Sequence, residues 1–254
     1  MELGKIKGLW SYYKKGGIQE VLYRLSAYGY LPRLVLFLSS KHVLALDKIN
    51  QHCLKHALGG YEFAWVDASS IDHLMACQGE AVDTPRAVFE RFFKQGHQCY
   101  TACKDGKIIA YSWVFKGNYV LSFDRGERPL ITLVLKDNEA FLGNGFIAEK
   151  YRLKGVFPHL LKFATGQYPD ATRFFSSVDP INANSLRAHI RFGFVPIFNV
   201  RYLRIFSLNL FYGNKGLFSP LSLLGVGASR LELSRFNQPP VGSPETNFSK
   251  TFGG

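Results

Sequence analysis

Two spacings of apolar residues divide the chain into a helical first part and a strand-rich remainder. Between Ile18 and Tyr28, apolar side chains recur every three or four positions, which predicts a helix with one apolar face. Pro32 opens a second stretch of helical character, because proline fits the first turn of a helix. After Gly59 and Gly60 the pattern changes to short strands and turns. We expect the first part to pack as an arm on the domain formed by the rest.

Strands and helices alternate irregularly after residue 60. "YEFAWV" is typical of a strand, whereas "SSIDHLMA" and "TPRAVFERFFKQ" are typical of helices that begin at Ser or Thr. Asp105–Gly106 favours a tight turn between two strands, because such turns need positive φ. A strand from about Glu139 to Ala148, a helix from about Val156, the strand "RFFSSV", the helix "NSLRAHIRF" and two final strands follow. This order predicts an α+β fold with a mixed sheet and helices on its faces.

Changes in composition suggest three parts. Residues 1–58 are basic and form the predicted helical extension, residues 59–211 carry the mixed pattern, and residues 212–254 are rich in Gly, Ser, Pro and Asn. Such a composition is typical of a flexible tail. The chain of 254 residues is 47% hydrophobic, which suffices for one large domain with extensions.

The formal net charge of +12 favours an anionic partner. Phosphate-bearing ligands, nucleic acid and an anionic membrane surface all satisfy this condition. The basic residues are scattered and no RNA-recognition motif or zinc knuckle is present, so we expect no nucleic-acid partner.

The four cysteines fit neither a zinc pattern nor a disulfide framework, so we expect no metal site and a reducing, cytoplasmic compartment. The first residues lack a secretory signal pattern, and the apolar stretch "YLPRLVLFL" is too short to span a bilayer.

The segment "IAEKYRLKG" predicts an anion-binding bend. A strand ends near Ile147, Arg152 and Lys154 add positive charge, and a helix begins after Gly155. The first amides of a helix have no intrahelical acceptor and lie at the positive end of its dipole. Together these features suit a pyrophosphate, although a basic turn before a helix is commonly a solvated cap.

The later segment "VDPINANSLRAHIRFGF" adds a second pattern. It places Asn182 after a strand, Ser185 at the start of a helix, His189 one turn later and Gly193–Phe194 at the helix end. With Arg152 and Gly155, these residues resemble the signatures of the GNAT (N-acetyltransferase) superfamily of acyl-CoA-dependent acyltransferases. The resemblance covers about residues 61–208 and implies a mostly antiparallel central sheet flanked by helices.

The resemblance also implies a reaction and a set of site residues. An amine of a small molecule or peptide would attack the thioester of acyl-CoA, most simply acetyl-CoA. A backbone N–H near Ile147 would polarise the thioester carbonyl, and the arm of the coenzyme would meet Asn182 and Ser185. His189, where the family usually has Tyr, would protonate the sulfur, and Glu139 would be the general base, with Glu149 or a water chain as alternatives. The pyrophosphate would bind a set of main-chain amides, those of Arg152, Leu153, Lys154, Gly155, Val156 and Phe157.

One residue departs from the family pattern. Phe157 stands where the family has Gly or Ala, so its ring either crowds the phosphate bend or points into the core. The histidine, likewise, either takes part in proton transfer or merely packs its helix.

Two alternative functions stay open at this point. One is a long-chain acyl-CoA N-acyltransferase whose apolar arm covers the acyl chain. The other is a non-catalytic GNAT-fold module that binds an anionic membrane surface, with peripheral contact through residues 1–58.

Overall fold

The computed structural model describes residues 13–14, 18, 21–26, 30, 36–55, 59–79, 84–121, 131–169, 172–206, 208–214, 222–226 and 229–233. The strands are β1 (Leu36–Leu46), β2 (Tyr61–Val66), β3 (Gln98–Lys104), β4 (Lys107–Phe115), β5 (Asn118–Leu121), β6 (Ile131–Val134), β7 (Glu139–Ile147), β8 (Arg173–Val178), β9 (Phe194–Ile205), β10 (Leu208–Asn214), β11 (Ser222–Val226) and β12 (Ser229–Glu232). The helices are α1 (Ile71–Gln78), α2 (Arg86–Lys94), α3 (Val156–Thr165) and α4 (Ala183–Phe192). Residues 21–26 are also helical.

Within the described residues, nine strands form one sheet in the order β11-β10-β9-β1-β8-β7-β4-β3-β2. Strands β7 and β8 pair in parallel, and the other neighbours in this sheet pair antiparallel. A smaller sheet has the order β12-β6-β5. The predicted α+β class, with a mostly antiparallel sheet flanked by helices, is confirmed.

The predicted hairpin turn is confirmed in its backbone geometry. Asp105 has φ 51° and Gly106 has φ 72°, so both central residues are left-handed, as a two-residue turn between β3 and β4 requires.

The predicted division at residue 58 is wrong, because Leu36–Leu46 is a central strand. Strand β1 lies between β8 and β9 and is antiparallel to both. Its neighbouring residues Val43 and Leu44 point to opposite faces and are both fully buried. A strand buried on both faces gives a continuous apolar run, which periodicity alone does not distinguish from a buried helix. The helical prediction holds for residues 21–26, and membrane contact of residues 1–58 stays a prediction.

The predicted tail also begins later than residue 212. Strand β10 continues to Asn214, and β11 and β12 extend the two sheets. Strands β11 and β12 are short and lie at sheet edges, and a composition rich in Gly and Ser gives little strand signal. Residues 234–254 lie outside the described part of the chain.

Side chains of the large sheet alternate between two cores. Phe141 and Phe175 belong to the face covered by α1 and α2, and Leu142 and Phe174 to the face covered by α3 and α4. Successive residues of a strand point to opposite faces, so these four residues fix the direction of every side chain on β7 and β8 near the centre of the sheet.

The parallel pair β7–β8 separates halfway along its length. Pairing runs from Glu139 and Arg173 to Leu142 and Ser176 and ends there. On its other side, β7 has two residues, Asn144 and Gly145, where β4 has only Ser112. Such a bulge bends the strand that carries the extra residue. A gap therefore opens in the middle of the sheet.

In the part of the chain that the structure describes, no helix has the length and apolar character needed to cross a membrane.

Gly193 joins α4 to the segment after β1, and its replacement tests this junction. It has φ 123°, and a Cβ atom there would lie 1.8 Å from the carbonyl oxygen of Lys48. We expect Gly193→Ala to lower the free energy of unfolding by about 2–4 kcal/mol through backbone strain and overpacking. Denaturant unfolding measures this change.

Gly59→Ala is the matched control, because Gly59 has no positive φ and a Cβ atom there would meet nothing within 4 Å. Its effect should stay within about 0.5 kcal/mol. Equal effects of the two substitutions would contradict the close approach at Gly193.

Candidate active site

A cavity of about 260 Å³ lies where β7 and β8 separate. Its walls come from six elements and are mostly uncharged. The lining residues are Lys41, Ser112, Leu142, Gly143, Asn144, Gly145, Phe157, Leu161, Ser176, Ser177, Val178, Asp179, Asn182, Ser185 and His189.

The lining residues belong to both faces of the sheet. Ser176 points to the α3 and α4 side, since its neighbour Phe175 belongs to the opposite core. Ser177, two residues after Phe175, follows the direction of that ring. Asp179 comes directly after β8, and its carboxylate lies 3.6 Å from Lys41 Nζ. Lys41 shares the face of Ser177, because it is two residues from Val43, which belongs to the same core as Phe175. The cavity thus reaches from one face of the sheet towards the other.

The predicted phosphate bend is exposed at residues 152–154, and its backbone N–H groups can donate to a ligand. Gly155 precedes α3 with φ 79°, and Leu153 has φ 62° and a side chain that is 96% exposed. Within the described part of the chain, the amides of residues 153–157 have no hydrogen-bond acceptor. The amide of Arg152 differs from the prediction, since it donates to the Glu149 carbonyl at 3.1 Å.

The Arg152 side chain connects the bend to the end of β7. Its Nε donates to the carbonyl of Ile147 at 3.0 Å, and the guanidinium lies 5.8 Å from the centre of the Phe146 ring. The Lys154 ammonium lies 5.7 Å from the Tyr151 ring, and the Lys154 side chain is exposed. Both positive charges remain at the surface of the bend, where an anionic ligand can reach them.

Strand geometry turns the amide of Ile147 towards the gap. Ala148 donates its amide to Ile109 on β4 at 2.9 Å, and Ile147 lies opposite Ala110. Hydrogen-bonded and non-hydrogen-bonded pairs alternate along an antiparallel ladder. Ile147 therefore occupies a non-hydrogen-bonded position towards β4, and its N–H and C=O point to the side where β8 has separated.

Phe157 points between the helices and does not crowd the bend. Its half-buried ring lies 4.8 Å from the His189 ring, centre to centre, and both residues line the cavity. Val156 beside it is buried in the α3 and α4 core. Of the two orientations left open for Phe157, the structure supports the inward one.

His189 is buried and both ring nitrogens have partners. Nδ1 lies 2.8 Å from the Ser185 carbonyl oxygen, which can only accept, so Nδ1 carries the proton. Nε2 then accepts from the Ser176 hydroxyl at 3.1 Å. Burial lowers the pKa of His189 to about 4, although the hydrogen bond to Ser185 raises it in part. His189 therefore presents no proton of its own to the cavity, and its Nε2 is occupied by the Ser176 hydroxyl.

Asn182 and Ser185 line the cavity as predicted for the coenzyme arm, but they also begin α4. The Asn182 side-chain oxygen accepts from the Ser185 amide at 3.1 Å, which caps the helix. The amide NH₂ group of Asn182 has no partner among the described residues and is free to donate to a ligand.

Glu139 does not lie where a general base must lie. It begins β7, and its carboxylate accepts from the Lys136 amide at 3.0 Å, closing the turn before the strand. The residue is 2% exposed and is absent from the cavity wall. Its role in the structure is to fix this turn, and Glu149 lies in the 3₁₀ turn Glu149–Tyr151, also outside the cavity wall.

Sequence reasoning missed several polar residues of the cavity wall, above all Lys41, Ser176 and Asp179. The run "SSVD" at the end of β8 was the one signal, because polar residues at the carboxyl end of a parallel strand beside a gap commonly line a site. Lys41 offered no signal, since it lies far away in the sequence on a strand that was predicted as helix. Among the described residues, no group of three His, Cys, Asp or Glu side chains could hold a metal ion.

Comparison with known proteins gives structural likeness without sequence similarity. No family model and no curated protein matches this chain. A functionally unknown conserved protein from Staphylococcus epidermidis ATCC 12228 has a TM-score of 0.48 and 10% identity, over 72% of this chain and 65% of that one. A GNAT-family acetyltransferase from Colwellia psychrerythraea has a TM-score of 0.44 and 13% identity, over 66% of this chain and 55% of that one.

A GCN5-related N-acetyltransferase from Kribbella flavida has a TM-score of 0.43 and 16% identity, over 71% of this chain and 60% of that one. This chain thus spans less than two thirds of each of these three structures. GNAT acetyltransferases are among the similar solved structures, but at this level of likeness function has to be inferred from the residues of the chain itself.

Because His189 is held neutral in the folded protein, the free energy of unfolding should decrease as the pH falls. The unfolded chain takes up the proton near pH 6.5, whereas the folded chain does so only near pH 4. The stabilisation by neutral His189 is therefore complete above about pH 6.5 and is lost as the pH falls towards about 4, to a total on the order of 3 kcal/mol.

Urea unfolding at about pH 7.5 and about pH 5.5 tests this. We expect the wild type to lose about 1 kcal/mol more than His189→Gln between these two conditions. His42 and His97, whose pKa values burial also lowers, are present in both proteins and cancel in the comparison. Parallel pH dependence of the two proteins would show that His189 is not held neutral.

Proposed function

We propose that this protein is an acyl-CoA-dependent N-acyltransferase that transfers a short acyl group, most simply acetyl, to an amine. One observation carries the proposal. The bend that follows β7 is exposed at residues 152–154, its five amides at residues 153–157 have no acceptor among the described residues, and its residue Phe157 lines the cavity where β7 and β8 separate. Unpaired amides at a helix start bind phosphate groups.

The coenzyme would lie along the gap. The amides of residues 153–157 would hold the pyrophosphate, with Arg152 and Lys154 adding charge from the surface. The arm would continue past β7, which offers the gap-facing amide of Ile147, and past α4, which offers the NH₂ group of Asn182. A carbonyl oxygen near the Ile147 amide would be polarised by that N–H.

The transfer needs one proton to leave the nitrogen and one to reach the sulfur. As the C–N bond forms, the amine would pass a proton to the Ser176 oxygen, while the Ser176 hydroxyl proton moves to Nε2 of His189. As the C–S bond breaks, the proton would return along the same pair to the thiolate. The low pKa of His189 favours this return, because a buried imidazolium gives up its proton readily.

The size of the cavity favours a small acyl group over a long chain. At about 260 Å³ it falls just below the range of roughly 300–1,000 Å³ typical of small-molecule sites. The end of the coenzyme arm and a short acyl group suit this volume.

The bend is tested by a charge at Gly155. Gly155→Asp places a carboxylate at the proposed pyrophosphate site and should weaken coenzyme A binding by more than about tenfold, or 1.4 kcal/mol. Gly155→Asn is the matched control, because Asn and Asp both tolerate positive φ and differ here mainly in charge. Calorimetric titration with coenzyme A compares the two variants. Equal affinities would remove the bend from the coenzyme site.

The proton path is tested at Ser176. Ser176→Ala should lower kcat by about 100-fold or more while leaving coenzyme affinity within a few fold, because the variant lacks only the relay. Ser176→Thr keeps the hydroxyl and should retain most of the activity. His189→Phe should also reduce turnover more than coenzyme affinity. Free-thiol release measures the rates, and an unaltered rate in Ser176→Ala would exclude this path.

A further inference from the structure

The cavity wall contains one ion pair. Among its described lining residues, Lys41 and Asp179 alone carry a formal charge, since His189 is neutral. Lys41 Nζ lies 3.6 Å from Asp179 Oδ2, and the two side chains are 22% and 28% exposed. This separation exceeds a charge-assisted hydrogen bond of about 2.7–2.9 Å, so the pair is loose.

The two carboxylate oxygens of Asp179 have different partners. Oδ1 accepts from the Tyr23 hydroxyl and from the Ile181 amide, which hold the carboxylate in place. Oδ2 faces only Lys41 among the described residues. The fixed carboxylate therefore keeps one oxygen for a ligand.

The pair lies on the opposite side of the gap from the proposed proton path. Ser176 and His189 point to the α3 and α4 face, whereas Lys41 follows the alternation of Val43 to the other face, where its ammonium meets Asp179. The coenzyme would carry the acyl group into the gap from the α3 and α4 face, and an acceptor would approach it from the face of Lys41.

We propose that Lys41 and Asp179 form the acceptor subsite and select a small amine that also carries a carboxylate, such as a free amino acid. The inference rests on the proposed acyl transfer. The acceptor carboxylate binds the Lys41 ammonium, and the acceptor ammonium binds Asp179 Oδ2. Before attack the ammonium loses one proton to solvent, and the neutral amine that remains donates to Asp179 Oδ2 while its lone pair attacks the thioester. The zwitterion thereby replaces one loose ion pair by two closer contacts of opposite charge.

Charge balance explains why other amines bind less well. A simple alkylammonium ion satisfies Asp179 but brings a second cation next to Lys41. A carboxylate without an amine brings a second anion next to Asp179. In a partly buried cavity each unpaired charge is costly, so the subsite discriminates against both.

The test uses free-thiol release from acetyl-CoA with the standard amino acids, their amides and simple alkylamines as separate acceptors. The amide keeps the amine and removes only the negative charge. For the best amino acid, we expect kcat/KM to exceed that of its amide by about tenfold or more, which corresponds to 1.4 kcal/mol.

Variants connect this preference to the ion pair. Lys41→Met keeps the length of the side chain and should abolish the preference for the acid over the amide, mainly through KM. Asp179→Asn should lower kcat/KM for both acceptors. Lys48→Met is the matched control, because Lys48 is an exposed lysine just after β1, and it should leave the preference unchanged.

Coenzyme A titration of the same proteins separates the two levels of inference. Release with amides or alkylamines at rates equal to those of amino acids would overturn the acceptor subsite and leave acyl transfer standing. A preference that survives Lys41→Met would also overturn it. If no acceptor causes thiol release, the acceptor subsite is also overturned. If coenzyme A in addition fails to bind, the proposed acyl-transfer function is overturned as well.

Discussion

The separation of β7 and β8 is the constraint on which the site depends. Pairing between the two strands ends at Leu142 and Ser176, where the bulge at Asn144–Gly145 bends β7. A ladder that continued along β7 to Ile147 would use the Ile147 amide in a hydrogen bond. Because the ladder stops, backbone groups that a sheet normally uses internally are left for a ligand.

Burial divides the cavity chemically as well as spatially. On the α3 and α4 side, aromatic packing by Phe157 and Phe194 surrounds His189 and keeps it neutral. On the other side, Tyr23 and the chain turn after β8 keep Asp179 fixed and leave it near Lys41. One gap thus joins an uncharged compartment to a charged one, which is a suitable arrangement for a reaction between two dissimilar substrates.

Local patterns predicted the parts of the fold that depend on neighbours in sequence. The turn at Asp105–Gly106, the helix after Gly155 and the helix that contains "NSLRAHIRF" are each determined within a few residues. What escaped prediction depends on distant pairing: β1 is a strand because β8 and β9 flank it, and Lys41 meets Asp179 only through that pairing. Glu139 was misplaced for a related reason, since its strand can be read from local pattern but the end of the strand at which the gap opens cannot.

The position of β1 has a consequence for how the chain reaches its native state. His42 pairs with Val178 and with Asn199. Strand β1 therefore cannot join the sheet until these residues, more than a hundred positions later in the chain, are present. Until then β8 and β9 have unprotected edges, and closing such a long loop is slow compared with forming hairpins. Insertion of β1 brings Lys41 to the cavity and shields both edges in the same event. Pairing of β1 therefore completes one part of the cavity wall and covers two strand edges that would otherwise be open to edge-to-edge association.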